Sequence, residues 1–257
     1  MQYYELDRLA QYFRLFGFGR ITGIDIGREY KGTIPNTAYM NKRYGRFGWS
    51  KGSLLNFCIG QGEILVTPIQ VFNYTNLLAT KGNANSPHLV SSIKKEPKSE
   101  ILLAPQIWDR IIFDMGQVIS HAKGTGKNAD PAIKGLEIYG KTGTAENPHG
   151  EDHAWFIGWA QYEERKFSIV VLLENSGSGG AVAAPLAKNV FDKIIVTSDS
   201  QRILQIAKKY KEVCCIKRPK YLSTDAAKTE SAIIHACKYI QKKQNLIPNL
   251  VFTLEPT

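Results

Sequence analysis

Residues able to do chemistry gather most densely between 139 and 160. The run is Tyr139-Gly140-Lys141-Thr142-Gly143-Thr144-Ala145-Glu146, then Asn147-Pro148-His149-Gly150-Glu151-Asp152-His153-Ala154-Trp155-Phe156-Ile157-Gly158-Trp159-Ala160. Its pattern is a short strand, a polar turn and an aromatic-rich strand. Lys141 supplies a point charge. Thr142 and Thr144 lie two residues apart, so an extended chain sends both hydroxyls to one face. Gly143 has no Cβ and lets a ligand approach the backbone between them. An ammonium with two hydroxyls suits a carboxylate, and a free backbone N–H beside them suits an oxyanion. An ordinary β-hairpin with a polar turn would use the same residues without any ligand.

Other candidates are weaker on physical grounds. His149 and His153 bracket Glu151 and Asp152, a metal-like composition. A His-x₃-His pair shares a face only on a helix, and Pro148 and Gly150 oppose one. The expectation is therefore a polar turn with His153 near a cleft, and no metal. Gln61 stands between Gly60 and Gly62 in a tight turn, where a structural role outweighs a catalytic one. Three Ser-x-x-Lys matches begin at Ser91, Ser92 and Ser120 and end at Lys94, Lys95 and Lys123. Two overlap on a charged turn and the third closes a helix, so they read as chance matches.

Lys141-Thr142-Gly143 is a signature of penicillin-binding proteins and serine β-lactamases. Tyr139 to Ala160 as a whole resembles the third active-site strand, loop and next strand of elongation-type class B penicillin-binding proteins, the penicillin-binding protein 2 group. Ile21-Thr22-Gly23-Ile24-Asp25, behind Phe16-Gly17, resembles the segment that follows the second active-site motif in that group. Ile59-Gly60-Gln61-Gly62-Glu63 to Gln70 resembles the turn and helix start that pack beside its active site.

The resemblance covers residues 3–190, about three-quarters of the chain, and implies a serine acyl transferase of peptidoglycan synthesis. It implies a D-Ala-D-Ala stem peptide or a β-lactam as ligand. Lys141, Thr142, Gly143 and Thr144 would bind it, with Gln61 and His153 as possible cleft residues. Cell-elongation membrane proteins would be partners, with no cofactor and no nucleic acid. In the family the Ser-x-x-Lys and Ser-x-Asn motifs precede the segment that here starts at Phe16. The expectation is that the nucleophile is absent, leaving a receiving site without a catalytic residue. The family acts at the outer face of the cytoplasmic membrane. Met1 to Glu5 is no signal peptide and no apolar run spans a membrane, so the chain as written is expected in the cytoplasm.

Composition fits a folded chain: 257 residues, 43% hydrophobic and 22% charged. The net charge of +10 at pH 7 is scattered. Its densest groups, Lys42-Arg43-Tyr44-Gly45-Arg46 and Lys208-Lys209-Tyr210-Lys211, lack the interleaved aromatic stripe of a nucleic-acid surface and read as solvated faces. The four cysteines form neither a disulfide framework nor a Cys-x-x-Cys pattern. Cys58 and Cys237 sit among apolar residues, so buried or idle thiols are expected.

The positioning elements follow from periodicity and caps. Helices are expected over residues 6–16, 68–78, 105–122 and 181–191. Strands are expected from Pro87, over 133–145, 153–161 and 166–174, while 29–51 reads as loop. Thr67 and Pro68 suit a helix start, and Lys81-Gly82 its stop. The sum is α+β: an antiparallel sheet with flanking helices.

Past about residue 191 the pattern changes. Strand Ile194 to Val196, helix Gln201 to Lys211, strand Val213 to Ile216, a helix capped by Thr229 and strand Leu250 to Leu254 read as a small α/β Rossmann-like segment. Residues 191–257 resemble part of the CMP-sialic acid synthetases (acylneuraminate cytidylyltransferases). Phe191 to Ser200, Arg218-Pro219, Leu222 to Asp225, Ile234-His235-Ala236 and Leu254-Glu255-Pro256-Thr257 carry it, with Glu255 where that family has Gln. Arg218 is then a possible nucleotide contact, while Asp199 reads as a helix cap. The expected division is 1–190 and 191–257, joined near Phe191-Asp192. Three functions stay open: a transpeptidase fragment, a cytidylyltransferase fragment, and a non-catalytic binding module.

Overall fold

The computed structural model describes residues 2–25, 27–89, 99–163, 165–192, 194–208, 213–223, 234–236, 238–239 and 242. The chain divides into two compact units, Met1–Lys188 and Asn189–Thr257. The first opens with helices α1 (Gln2–Leu15), α2 (Thr37–Tyr44), α3 (Lys51–Cys58) and α4 (Pro68–Ala79). A two-residue antiparallel pair, β1 (Asn83–Ala84) and β2 (Ser99–Glu100), leads to α5 (Pro105–Ser120). Strands β3 (Leu136–Ala145), β4 (His153–Tyr162) and β5 (Arg165–Leu173) form an antiparallel sheet in that order. A turn of π-helix at Gly179–Ala183 leads into α6 (Ala184–Asp192). The first unit is thus the expected mixture of helices and antiparallel sheet.

Local chemistry explains the most firmly placed elements. The Thr67 hydroxyl accepts the Gln70 N–H at 3.3 Å while the Gln70 carboxamide oxygen accepts the Thr67 N–H at 2.9 Å, a reciprocal cap on α4. Pro68 fills the first helical position, where no N–H is needed. Gln70, 1% exposed, also donates through Nε2 to the carbonyls of Arg20 (2.7 Å) and Lys31 (3.0 Å). One buried carboxamide therefore ties α4 to the irregular segment before it. Helices α4 and α5 bury Leu77, Leu78, Trp108 and Met115 against Trp159 of β4. Tyr139 of β3 stacks on Trp159 with centroids 5.1 Å apart.

Two expectations are corrected. Residues 29–51 are not all loop, because they hold α2 and the start of α3. Asn36 and Ser50 cap these helices, accepting the N–H of Tyr39 (2.9 Å) and Gly52 (3.2 Å). Met40, Trp49 and Phe57 bury against Leu6 of α1. Core contacts so widely spaced in a polar, Gly-containing stretch do not show as periodicity. Pro87 to Leu89 is not strand; the Leu89 N–H goes to the Asp25 carboxylate at 2.6 Å instead of a ladder. Of the two states expected for the thiols, buried or idle, Cys58 does not take the first: it is a free, exposed cysteine at the end of α3.

In the second unit, β6 (Ile194–Ser198) and β7 (Val213–Lys217) pair in parallel, with α7 (Gln201–Ala207) between them in the chain. The Ser200 hydroxyl accepts the Ile203 N–H at 3.5 Å at the start of α7. Thr229, Cys237 and the strand expected over 250–254 lie outside the described residues.

Candidate active site

Among the described residues β3 is an edge strand: its register to β4 pairs Lys141 with Ile157, Thr142 with Phe156, Gly143 with Trp155 and Thr144 with Ala154. The carbonyls of Thr142 and Thr144 take donors from side chains and not from β4. Lys141 Nζ donates to Thr142, and Gln61 Nε2 donates to Thr144 at 3.2 Å. A strand residue's N–H and C=O leave on the same side. The Thr144 N–H therefore also points to the open edge, while Gly143 turns inward to Trp155.

The two threonine hydroxyls do share a face. Thr142, 9% exposed, has its Oγ1 at 2.8 Å from Thr125 Oγ1, which lies in the turn after α5. Thr144 is exposed, and its Oγ1 accepts the Gly179 N–H at 3.4 Å. Thr144 thereby keeps its hydroxyl proton for an anion, and Thr142 keeps its own when Thr125 is the donor of their shared bond. Gly179 lies flat on the ladder beneath this face. A Cβ there would stand 2.2 Å from the Gly143 carbonyl oxygen and 2.3 Å from that of Trp155. Asn128 holds the same turn from the other side, donating to the Gly180 carbonyl at 3.1 Å.

Alternation puts Lys141 on the opposite face, with Tyr139. The residue is exposed, but its ammonium folds back onto the strand, and partial burial holds its pKa below the usual lysine range. Burial, then the hydrogen bond to Glu137 and its charge, push the Tyr139 phenol up to about 12. It stays neutral at physiological pH.

The remaining candidates are placed as follows. His153 opens β4, and its Nδ1 accepts the Asn175 N–H at 3.0 Å, bracing the loop that leads to Gly179. His149 is exposed in the turn before it. Among the described residues no three His, Cys, Asp or Glu side chains converge as a metal site. Ser120 Oγ donates to the Gly116 carbonyl at 3.0 Å, and the Lys123 N–H goes to His121 Nδ1, so that Ser-x-x-Lys match is spent on helix-end bonding. Ser91, Ser92 and Lys94 lie outside the described residues. Arg218, in the second unit, follows β7 and donates its N–H to the Ser198 carbonyl at 2.9 Å. Sequence reading missed Thr125 and Gly179, which fall between the elements it expected. The Gly124-Thr125-Gly126 and Ser178-Gly179-Gly180 clusters were their only signals.

An edge strand reading Lys-Thr-Gly-Thr, with helices over the antiparallel sheet behind it, is the third-motif arrangement shared by penicillin-binding proteins and serine β-lactamases. Residues 2–192 match the family model described as penicillin binding protein transpeptidase domain, and the chain belongs to that family. It is 36% identical over 228 residues to peptidoglycan D,D-transpeptidase MrdA of Haemophilus influenzae, covering 79% of this chain and 34% of the relative. The MrdA of Acinetobacter baumannii is 30% identical, with 75% and 31% covered. Among solved structures, Pseudomonas aeruginosa PBP2 in complex with WCK 5153 superposes with a TM-score of 0.64 at 35% identity, covering 73% of this chain and 42% of that one. Helicobacter pylori PBP2 in complex with MreC gives 0.63 at 30%, with 74% and 37% covered. The chain thus spans about a third of the length of the curated relatives it matches. No helix among the described residues is long and apolar enough to cross a membrane.

Proposed function

We propose that the first unit is the receiving half of an elongation-type peptidoglycan D,D-transpeptidase site. It takes the terminal carboxylate of a D-alanyl-D-alanine stem, or of a β-lactam, on Lys141, Thr142, Gly143 and Thr144. The observation that carries this reading is the open edge of β3, where the hydroxyls of Thr142 and Thr144 share one face and the Thr144 N–H points out of the sheet. Hydroxyl donors would hold the carboxylate, the Lys141 ammonium would add charge, and the Thr144 N–H would meet the oxyanion. The attacking serine does not come from residues 1–257 in this reading, which agrees with the bonding of Ser120. The relatives named MrdA support peptidoglycan synthesis as the process, and the Helicobacter pylori complex supports an elongation-system protein as partner. The outer face of the cytoplasmic membrane is then the working location.

Fluorescent penicillin tests it. The expected result is saturable, reversible binding that Lys141→Ala weakens. A covalent adduct surviving denaturation would show that the nucleophile is present after all, and no saturable binding would end the receiving role.

A second reading concerns residues 191–257 as a separate segment, taken to be related to CMP-acidic-sugar cytidylyltransferases. The parallel pairing of β6 and β7 across α7, with Arg218 directly after β7, favours it. Binding of CTP that Arg218→Ala abolishes is the outcome expected from it, and indifference to CTP would remove it.

A further inference from the structure

Gln61 is held more firmly than its place in a turn suggests. Gly60 and Gly62 both take left-handed backbone, at φ 79° and 76°, a conformation open to glycine and strained for other residues. The Gln61 N–H donates to the Asn56 carbonyl at 2.9 Å, closing the turn onto the end of α3. A Cβ on Gly62 would lie 2.9 Å from the buried Phe57 ring, so the turn is pressed against the core. From this mount the Gln61 carboxamide reaches 83 residues along the chain and donates to the Thr144 carbonyl at 3.2 Å.

That carbonyl sits on the edge where a peptide ligand would add as an extra antiparallel strand. In an antiparallel hydrogen-bonded pair, two facing residues exchange both N–H···O bonds. If the scissile carbonyl of the penultimate D-alanine takes the Thr144 N–H, that same D-alanine must give its own N–H to the Thr144 carbonyl. Gln61 already occupies this acceptor with a primary amide, the same chemical group the ligand would bring.

We propose that Gln61 is a built-in surrogate for the ligand's amide. It caps the Thr144 carbonyl while the edge is empty and must swing away for the stem peptide to dock. This rests on the receiving-site reading above. Gln61 acts through Thr144, and its role is to set how readily the edge accepts a strand. The alternative is a permanent strut that keeps β3 in place.

The two roles give opposite signs. The probes are an N-acetylated tripeptide ending in D-Ala-D-Ala and its depsipeptide analogue, in which an ester oxygen replaces the N–H of the penultimate D-alanine. Binding of each to the full chain is measured by calorimetry for wild type, Gln61→Met and Lys141→Ala. Methionine keeps the side-chain length and removes the donor. The surrogate role predicts that Gln61→Met binds both probes about two- to ten-fold more tightly, the worth of one net hydrogen bond, because Gln61 leaves the Thr144 carbonyl whichever strand docks. Weaker or equal binding of the amide peptide by Gln61→Met, with Lys141→Ala still impaired, overturns the surrogate and leaves the receiving site standing. A gain for the amide peptide with none for the ester overturns the displacement too, because Gln61 would then keep the carbonyl beside a docked strand. Binding by no variant, or binding indifferent to Lys141→Ala, overturns the receiving site and this inference with it.

Discussion

Gly179→Ala tests how the receiving face is supported. The new methyl carbon would fall 2.2 Å from the Gly143 carbonyl oxygen, 2.3 Å from that of Trp155 and 3.1 Å from the Gly143 nitrogen. All three are backbone atoms in the β3–β4 ladder, so no side chain can rotate to make room. The turn must lift until the closest contact passes 3.0 Å. Lifting stretches the 3.4 Å bond from the Gly179 N–H to Thr144 Oγ1 and the 3.1 Å bond from Asn128 to the Gly180 carbonyl. Overpacking of this kind costs about 1–3 kcal/mol, and two weakened bonds add about 1 kcal/mol more. For a unit of this size, a loss of 2–4 kcal/mol lowers the melting temperature by roughly 4–16 °C. All four tryptophans, Trp49, Trp108, Trp155 and Trp159, lie in the first unit, so tryptophan fluorescence follows its melting alone. Gly27→Ala is the control, because a Cβ there meets nothing within 4 Å. If Gly179→Ala melts within about 1 °C of that control, the close approach has been misjudged and the turn does not brace Thr144.

Two further outcomes follow from polar groups in the same unit. Gln70→Glu keeps the oxygen that caps Thr67 but deletes both part-buried hydrogen bonds to the Arg20 and Lys31 carbonyls; about 2–3 kcal/mol should be lost, read as a drop in the urea midpoint at pH 7. An unchanged midpoint would mean that the carboxamide does not anchor the segment before α4. Burial lowers the Lys141 pKa, so as pH rises the folded chain releases this proton before the unfolded chain does. Stability relative to Lys141→Met should therefore climb as pH approaches the ordinary lysine value of about 10.4 and level off above it. Parallel stability curves for the two proteins would place the ammonium in open solvent.

The elements legible beforehand are those whose signal is short-range. The α4 cap involves Thr67, Pro68 and Gln70, three residues apart, and β3, β4 and β5 announce themselves by alternation and by the polar turn between Ala145 and His153. Helices α2 and α3 escaped because their stability comes from Met40, Trp49 and Phe57 meeting Leu6 of another helix, a contact that leaves little local periodicity.

For the site, the sequence by itself determined that Thr142 and Thr144 share a face, with Lys141 on the other, because strand alternation depends on nothing beyond the strand. It also determined that Gly143 leaves room between them. Only the tertiary structure decided that Thr142 is nearly buried against Thr125 while Thr144 stays exposed, that Gly179 lies on the ladder beneath them, and that Gln61 caps the Thr144 carbonyl. Those partners stand 17, 35 and 83 residues away. Contacts at such separations are set by how helices and turns pack over the sheet, which no local pattern of residues encodes.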